Sequence, residues 1–165
     1  EYLILNDHSL LGFIGDELVN RLGMNASLQR YQGFRQALDE SGIPFVDEWC
    51  RFGSPTQESA FELAYELLQY DDRPTAIVAA YDTLAFGIIE AARMLRLRVP
   101  QDVAVIGFDD IPAARIIELT TIRQPLIESG RIGVRRLLDW LAKGVLPEDE
   151  YTTVLPLEII QRATV

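Results

Sequence analysis

The sequence predicts an α/β fold, a Rossmann-like and mostly parallel sheet flanked by helices, and three observations predict it. The runs Thr75–Ala79 (TAIVA) and Val103–Phe108 (VAVIGF) are too short for helices and apolar on both faces, as buried parallel strands are. Between them, Leu84, Ile88, Ala91 and Leu95 fall at helical spacing. The alternation of strand and helix continues on either side of this unit. A strand–helix–strand unit crosses over right-handed, so both strands end on one edge of the sheet. Ligands of open α/β sheets bind outside those carboxyl ends. The order of residues therefore sets Tyr81, Asp82, Asp109 and Asp110 on one rim.

The remaining elements follow in chain order. Glu1–Asn6 reads as the end of a helix, Leu10–Gly15 as a short strand, and Asp16–Met24 as a loop turning at Asn20 and Gly23. Asn25 or Ser27 can cap a helix to about Ser41, with Leu28, Tyr31, Phe34 and Leu38 inward and Gly42 as its stop. Phe45–Phe52 is expected as a strand. Ser54-Pro55-Thr56-Gln57 has the form of a helix start, with a serine cap, proline at the first helical position and glutamine three residues after the cap. That helix runs to about Tyr70 and carries Phe61, Leu63, Ala64, Leu67 and Leu68. Asp82 is placed to cap the helix between the two central strands. Ile111–Glu118 is expected to be a short helical segment and Thr120–Arg123 a strand broken by Gln124-Pro125. Ile127–Lys143 is expected as a helix packing through Ile132, Leu137, Leu138 and Leu141 and stopping at Gly144. A loop over Val145–Tyr151 then leads into strand material at Thr152–Leu155 and Glu158–Gln161.

Composition narrows the function classes. With 165 residues, 48% of them hydrophobic, the chain can bury one core, or one domain and part of another. Its formal charge of −10 repels phosphate backbones, so the chain itself is not expected to bind nucleic acid. The single cysteine, Cys50, excludes an internal disulfide and reads as a structural thiol. His8 has no Cys or His partner at ligand spacing, so no metal site is expected. No apolar run reaches the roughly 18 residues that span a membrane. The opening EYLILNDHS has no initiator methionine, basic region or cleavage pattern and begins as if inside a helix, so the chain is expected to be a fragment of a longer protein.

Candidate chemistry is sparse. Asp109-Asp110 at a strand end can hold Mg²⁺ or accept a phosphoryl group, cap the following turn, or accept hydrogen bonds from ligand hydroxyls; the last use best fits the carboxyl-edge position. A phospho-receiver site would want a lysine near a later strand end, and the only lysine is Lys143, in a helix tail. Arg30 follows a glycine-containing loop and is either a solvated helix charge or a planar fork of donors aimed into a cleft. No nucleophile elbow, phosphate-binding loop, HExxH or dinucleotide glycine pattern is present, and one histidine near the terminus does not build a triad. Binding is favoured over catalysis, and no cofactor is expected.

The stretch Pro74–Asp110 (PTAIVAAYDTLAFGIIEAARMLRLRVPQDVAVIGFDD) and Leu119–Pro125 (LTTIRQP) resemble the effector-binding core of LacI/GalR transcription regulators. Upstream, LLGFIGDE and SLQRYQGFRQALDESGIP resemble the same family, so the likeness covers nearly the whole chain. It implies a periplasmic-binding-protein-like core, type I, incomplete here, in which two α/β subdomains hold a small ligand between them. Residues 1–9 would be the tail of the first subdomain and 10–118 the second. Residues 119–146 would return to the first, and 147–165 would supply terminal strands of the second. Carried over, Arg30 aims at ligand hydroxyls or carboxylates, Asp109 accepts from sugar hydroxyls, and Gln124 adds a contact from the returning strand. Tyr81-Asp82 stands where many members have Asn-Asp, and Tyr81 either stacks on a sugar face or fills the pocket. Pro55 stands where many have an aromatic ring. The implied ligand set is Arg30, Tyr81, Asp82, Asp109 and Gln124. The implied function is non-enzymatic: the domain senses a sugar or polyol effector and controls DNA binding allosterically. Operator DNA would be held only by an N-terminal helix-turn-helix outside this sequence. A homodimer through the second subdomain, by way of the Thr83–Leu95 helix or Ile111–Glu118, and a cytoplasmic location without membrane contact complete the expectation. The alternative is a periplasmic-type sugar-binding protein of an ABC transporter.

Overall fold

Five parallel strands and one antiparallel edge strand make a single sheet in the computed structural model, which describes residues 1–17, 26–143 and 152–165. The strands are β1 (Leu11–Asp16), β2 (Cys50–Gly53), β3 (Ala76–Ala79), β4 (Ala104–Asp109), β5 (Thr120–Arg123) and β6 (Glu158–Ile160). They lie in the order β2-β1-β3-β4-β5-β6, and only β5–β6 is antiparallel. The helices are α1 (Tyr2–Leu5), α2 (Ala26–Glu40), α3 (Gln57–Leu68), α4 (Asp82–Met94), α5 (Pro112–Ile116) and α6 (Leu126–Lys143).

The apolar runs sit at the centre of the sheet, as parallel strands with helices on their faces must. Ile14, Ile77 and Val105 are fully buried. On their side of the sheet, α3 and α4 pack against each other through Ala60, Ala64, Leu84, Ile88 and Ala91. The two helix backbones approach closely at Gly87, where a Cβ would run into the Gln57 carbonyl and the Phe61 amide. The opposite side takes α2, with Phe13 of β1 lying 5.4 Å from the Tyr31 ring and 5.5 Å from the Phe34 ring. Beyond α2 this face stays open. A groove of about 750 Å³ runs along Val78, Ile106, Phe108, Ile122 and Ile159, bounded by α1 and α2.

Several local expectations change. Of the expected Phe45–Phe52 strand only Cys50–Phe52 pairs with β1, the strand running on to Gly53 (Phe13↔Cys50 to Asp16↔Gly53), and a tight 3-10 turn at Asp47–Trp49 precedes it. The cap of α3 is Thr56 rather than Ser54: its hydroxyl accepts from the Ser59 amide at 3.2 Å, while the Ser59 hydroxyl accepts from the Ser54 amide at 3.1 Å. Ser27 lies inside α2, where its hydroxyl accepts from the Asp16 amide. Asp82 does not cap α4. Tyr81 holds the cap position, and the Asp82 carboxylate turns instead toward the Ile111 amide and the Thr121 hydroxyl. No strand forms at Thr152–Leu155. Because Glu158 pairs with Arg123 antiparallel, residues before 158 run past the end of β5, where Pro125 offers no N–H.

The sheet also runs beyond the expected boundary at 118/119. Thr120–Arg123 pairs in parallel with Ile106–Asp109, so β5 belongs to the same sheet as the strands before it. Helix α6 spans Leu126–Lys143, one residue longer at its start than the expected Ile127–Lys143, but Leu137, Leu138 and Leu141 are exposed rather than packed. The described residues provide no surface against its apolar side. The turn at Asn20 and Gly23, the Asn25 cap, the Gly144 stop and the Val145–Tyr151 loop fall outside the described residues.

Candidate functional site

The carboxyl ends of β1, β3, β4 and β5 converge with the first turns of α2, and the candidate residues stand there. Arg30, in the second turn of α2, has a side chain only 16% exposed. Its Nη1 donates to the Ala80 carbonyl at 2.5 Å, and its guanidinium lies over the Phe108 ring at 3.7 Å and the Tyr81 ring at 4.7 Å. Such a cation over two aromatic faces is held flat and partly desolvated. Its Nη2 reaches Asp109 Oδ1 at 3.4 Å, a long contact. The tighter partner of that oxygen is Gln124, whose Nε2 donates to it at 2.7 Å. Asp109 Oδ2 accepts nothing among the described residues. The groove on the α2 face opens onto Arg30, Phe108 and Gln124.

Arg30, Tyr81, Asp109 and Gln124 are thus brought together in one cluster. Tyr81 fills the floor beneath Arg30, and burial, reinforced by the nearby Asp16 carboxylate, pushes its phenol up. It stays a neutral donor. Asp82 is placed otherwise, because its side chain has no exposed surface and makes no direct contact with the cleft. Its Oδ2 accepts from the Ile111 amide at 2.8 Å and its Oδ1 from the Thr121 hydroxyl at 2.5 Å, while burial pushes its carboxyl up. Asp110 is also withdrawn. It is clamped by Arg162 at 2.5 Å and Arg123 at 2.7 Å. Burial pulls its carboxyl up, and the two arginines outweigh that and hold it below the usual carboxylate range.

Two residues escaped the sequence reading. Phe108 supplies the nearer face under Arg30, and its position directly before Asp109 at the strand end was the available signal. Asp16 ends β1 on the same edge beside Tyr81, with a buried Oδ1 that has no hydrogen-bond partner among the described residues. The carboxyl-edge rule that marked β3 and β4 applied equally to β1. Chemically, the cluster offers aromatic faces, a fixed fork of donors and carboxylate acceptors side by side, a set suited to neighbouring hydroxyls. Among the described residues, no group of three or more His, Cys, Asp or Glu is arranged to hold a metal ion, and no helix is long and apolar enough to cross a membrane. Cys50 is buried, and burial pushes its thiol up to about 11, which suits a structural thiol.

The whole chain, residues 1–165, matches the periplasmic binding protein-like domain. It is 37% identical over 166 residues to the HTH-type transcriptional repressor PurR of Yersinia pestis bv. Antiqua, covering 99% of this chain and 47% of the repressor. A solved regulatory protein of the LacI family from Chloroflexus aggregans superposes with a TM-score of 0.88 at 30% identity, over 99% of this chain and 57% of that one. The transcriptional regulator CelR, solved as its cellobiose complex, gives a TM-score of 0.85 at 28% identity, over 99% and 49%. The chain spans about half the length of the curated relatives it matches. These relatives are regulators rather than enzymes. The chain belongs to the periplasmic binding protein-like domain family, and within it to the kind that LacI/GalR-type regulators use as an effector-binding domain.

Proposed function

We propose that this chain senses a small sugar-like effector for a LacI/GalR-type transcription regulator and supplies one wall of the effector cleft. The observation that carries the reading is the Arg30–Asp109–Gln124 cluster at the carboxyl edge, backed by Tyr81 and Phe108. Charge-assisted hydrogen bonds from Arg30 and to Asp109 would read adjacent ligand hydroxyls, with Gln124 steadying the carboxylate. The cellobiose bound by the similar regulator CelR supports a saccharide or polyol as the class of effector.

The second wall would come from a further subdomain of the full-length protein, and α6 would cross to it. Its bare apolar side, with Ile127, Val134, Leu138 and Leu141, supports that assignment. The return to the first subdomain, expected over 119–146, would then begin only after β5 (Thr120–Arg123) has joined the sheet. Ile116 and Ile117 at the end of α5 are exposed apolar residues suited to a contact between two protomers, and a homodimer through this subdomain is part of the reading. Operator DNA would be bound by a helix-turn-helix elsewhere in the protein, and a regulator of this kind works in the cytoplasm.

The mechanism is a shift between cleft states: the effector must bind one closure state better than the other, with coupling of about 1–3 kcal/mol. The test is operator binding by the full-length protein, measured by gel retardation with cellobiose and a set of mono- and disaccharides. A sugar that changes operator affinity by about 5–150-fold supports the reading. A full-length protein that binds no DNA upstream of its own gene, and is exported with a signal sequence, contradicts it.

A further inference from the structure

Asp109 and Asp110 are consecutive non-glycine residues with φ of +116° and +53°. An L side chain at +116° crowds its own backbone, so this conformation persists only where surrounding contacts over-determine it. The contacts are present and share one root. The Asp110 amide donates to the Thr121 hydroxyl at 3.4 Å, and that hydroxyl donates to Asp82 Oδ1 at 2.5 Å. The Ile111 amide donates to Asp82 Oδ2 at 2.8 Å. Both peptide groups that follow Asp109 are therefore tied, directly or through one hydroxyl, to a single carboxylate at the start of α4. Gly107 leaves the room for it, since a Cβ there would run into that carboxylate. A second clamp, Arg162 and Arg123 on the Asp110 side chain, holds the same turn from the other side.

A fully buried carboxylate is costly and is retained where its hydrogen bonds do something no apolar side chain can. We infer that Asp82 is a positioning residue for the candidate ligand site. Through Thr121 and the Ile111 amide it holds the Asp109–Asp110 backbone in the left-handed conformation that turns the Asp109 carboxylate toward Arg30 and Gln124. The inference rests on the reading of Asp109 as a ligand contact for its functional meaning, but its structural claim stands apart from any ligand.

The experiment is a double-mutant cycle on the full-length protein, read by melting temperature. Asp109→Gly removes the crowded side chain, and in the wild-type background the melting temperature rises by about 3 °C. In the Asp82→Ala background the backbone has already relaxed, and the same substitution gives no rise. Thr121→Val serves as the second background should Asp82→Ala not fold, with a reduced rise expected. Asp82→Asn, which keeps an acceptor for the Ile111 amide, restores most of it. A crystal structure of the Thr121→Val or Asp82→Ala protein should place Asp109 at negative φ with its Gln124 contact broken. Equal rises in all backgrounds, or Asp109 still near +116° in those variants, overturn the inference. A thermal-shift measurement with cellobiose on Asp109→Ala tests the ligand reading separately, so the failure of either claim is told from the failure of the other.

Discussion

Helices α4 and α6 have similar credentials in the sequence and opposite fates. Each follows a parallel strand of the sheet and carries leucines and isoleucines at helical spacing. In α4, Leu84, Ala85, Ile88 and Ala91 are at most 1% exposed, held between the sheet and α3. In α6, Ile127 is 84% exposed and Leu141 68%. Their glycines tell the same story. Gly87 sits where another backbone occupies the place of a side chain, whereas Gly130 and Gly133 face open space. Periodicity states that a helix has a face to bury; it does not state what buries it. The supporting surface is a property of the topology, and for α6 it would come, on the proposed function, from a further subdomain of the full-length protein.

The contrast can be broken by substitution. The largest effect is expected at the α3–α4 contact. Gly87→Leu forces two backbones apart and lowers stability by about 3 kcal/mol, read by urea unfolding, because overpacking a close helix contact cannot be absorbed by side-chain rotation. Arg162→Met comes next. It removes one of two cations from Asp110, whose side chain is only 8% exposed, and costs about 2 kcal/mol at neutral pH. The pH dependence carries the sign. Asp110 titrates below its unfolded value, so its contribution is present above that value and is lost as pH falls through the folded one. Arg162→Met flattens that acid limb. Asp82 runs the opposite way: its folded carboxyl is raised by burial, so stability falls as pH rises from the unfolded value through the folded one, and Asp82→Asn removes that fall.

Smaller effects sharpen the comparison at α6. Leu138→Ala changes the stability of this 165-residue chain by no more than about 0.5 kcal/mol, as an exposed position should. In the full-length protein the same substitution costs about 2 kcal/mol, provided the apolar side is covered there. Equal small effects in both would remove α6 from the subdomain contact. Gly133→Ala, with open space for its methyl, gains about 0.8 kcal/mol from helix propensity alone.

The strands were legible where burial on both faces left one reading of a short apolar run, and β3, β4 and β5 came out within a residue. The parallel arrangement followed from the alternation with helices. Local starts were less legible because several hydroxyls compete for one helix end: Ser54 and Thr56 both fit a cap, and it is the Thr56 hydroxyl that accepts from the Ser59 amide while the Ser54 amide is taken by the Ser59 hydroxyl. Asp82 shows the deeper difficulty. Its place before a helix at a sheet edge suits a cap, a ligand contact or a buried brace. Only the positions of Ile111 and Thr121, 29 and 39 residues later, decide for the brace. The cluster of Arg30, Tyr81, Asp109 and Gln124 was readable because strand ends and the resemblance pointed to the same edge. Asp16 was not, since nothing in its own neighbourhood marks a carboxylate that comes to lie beside Tyr81.

The most direct test of the central claim is a thermal-shift panel of sugars and polyols on the full-length protein, run beside Arg30→Ala and Asp109→Ala. A ligand that binds only the folded state raises the melting temperature by mass action. The account predicts a sugar whose shift in the wild type disappears in both variants, each of which still unfolds in a single cooperative transition without ligand. A shift that survives both substitutions, or a panel without a single hit, would contradict it.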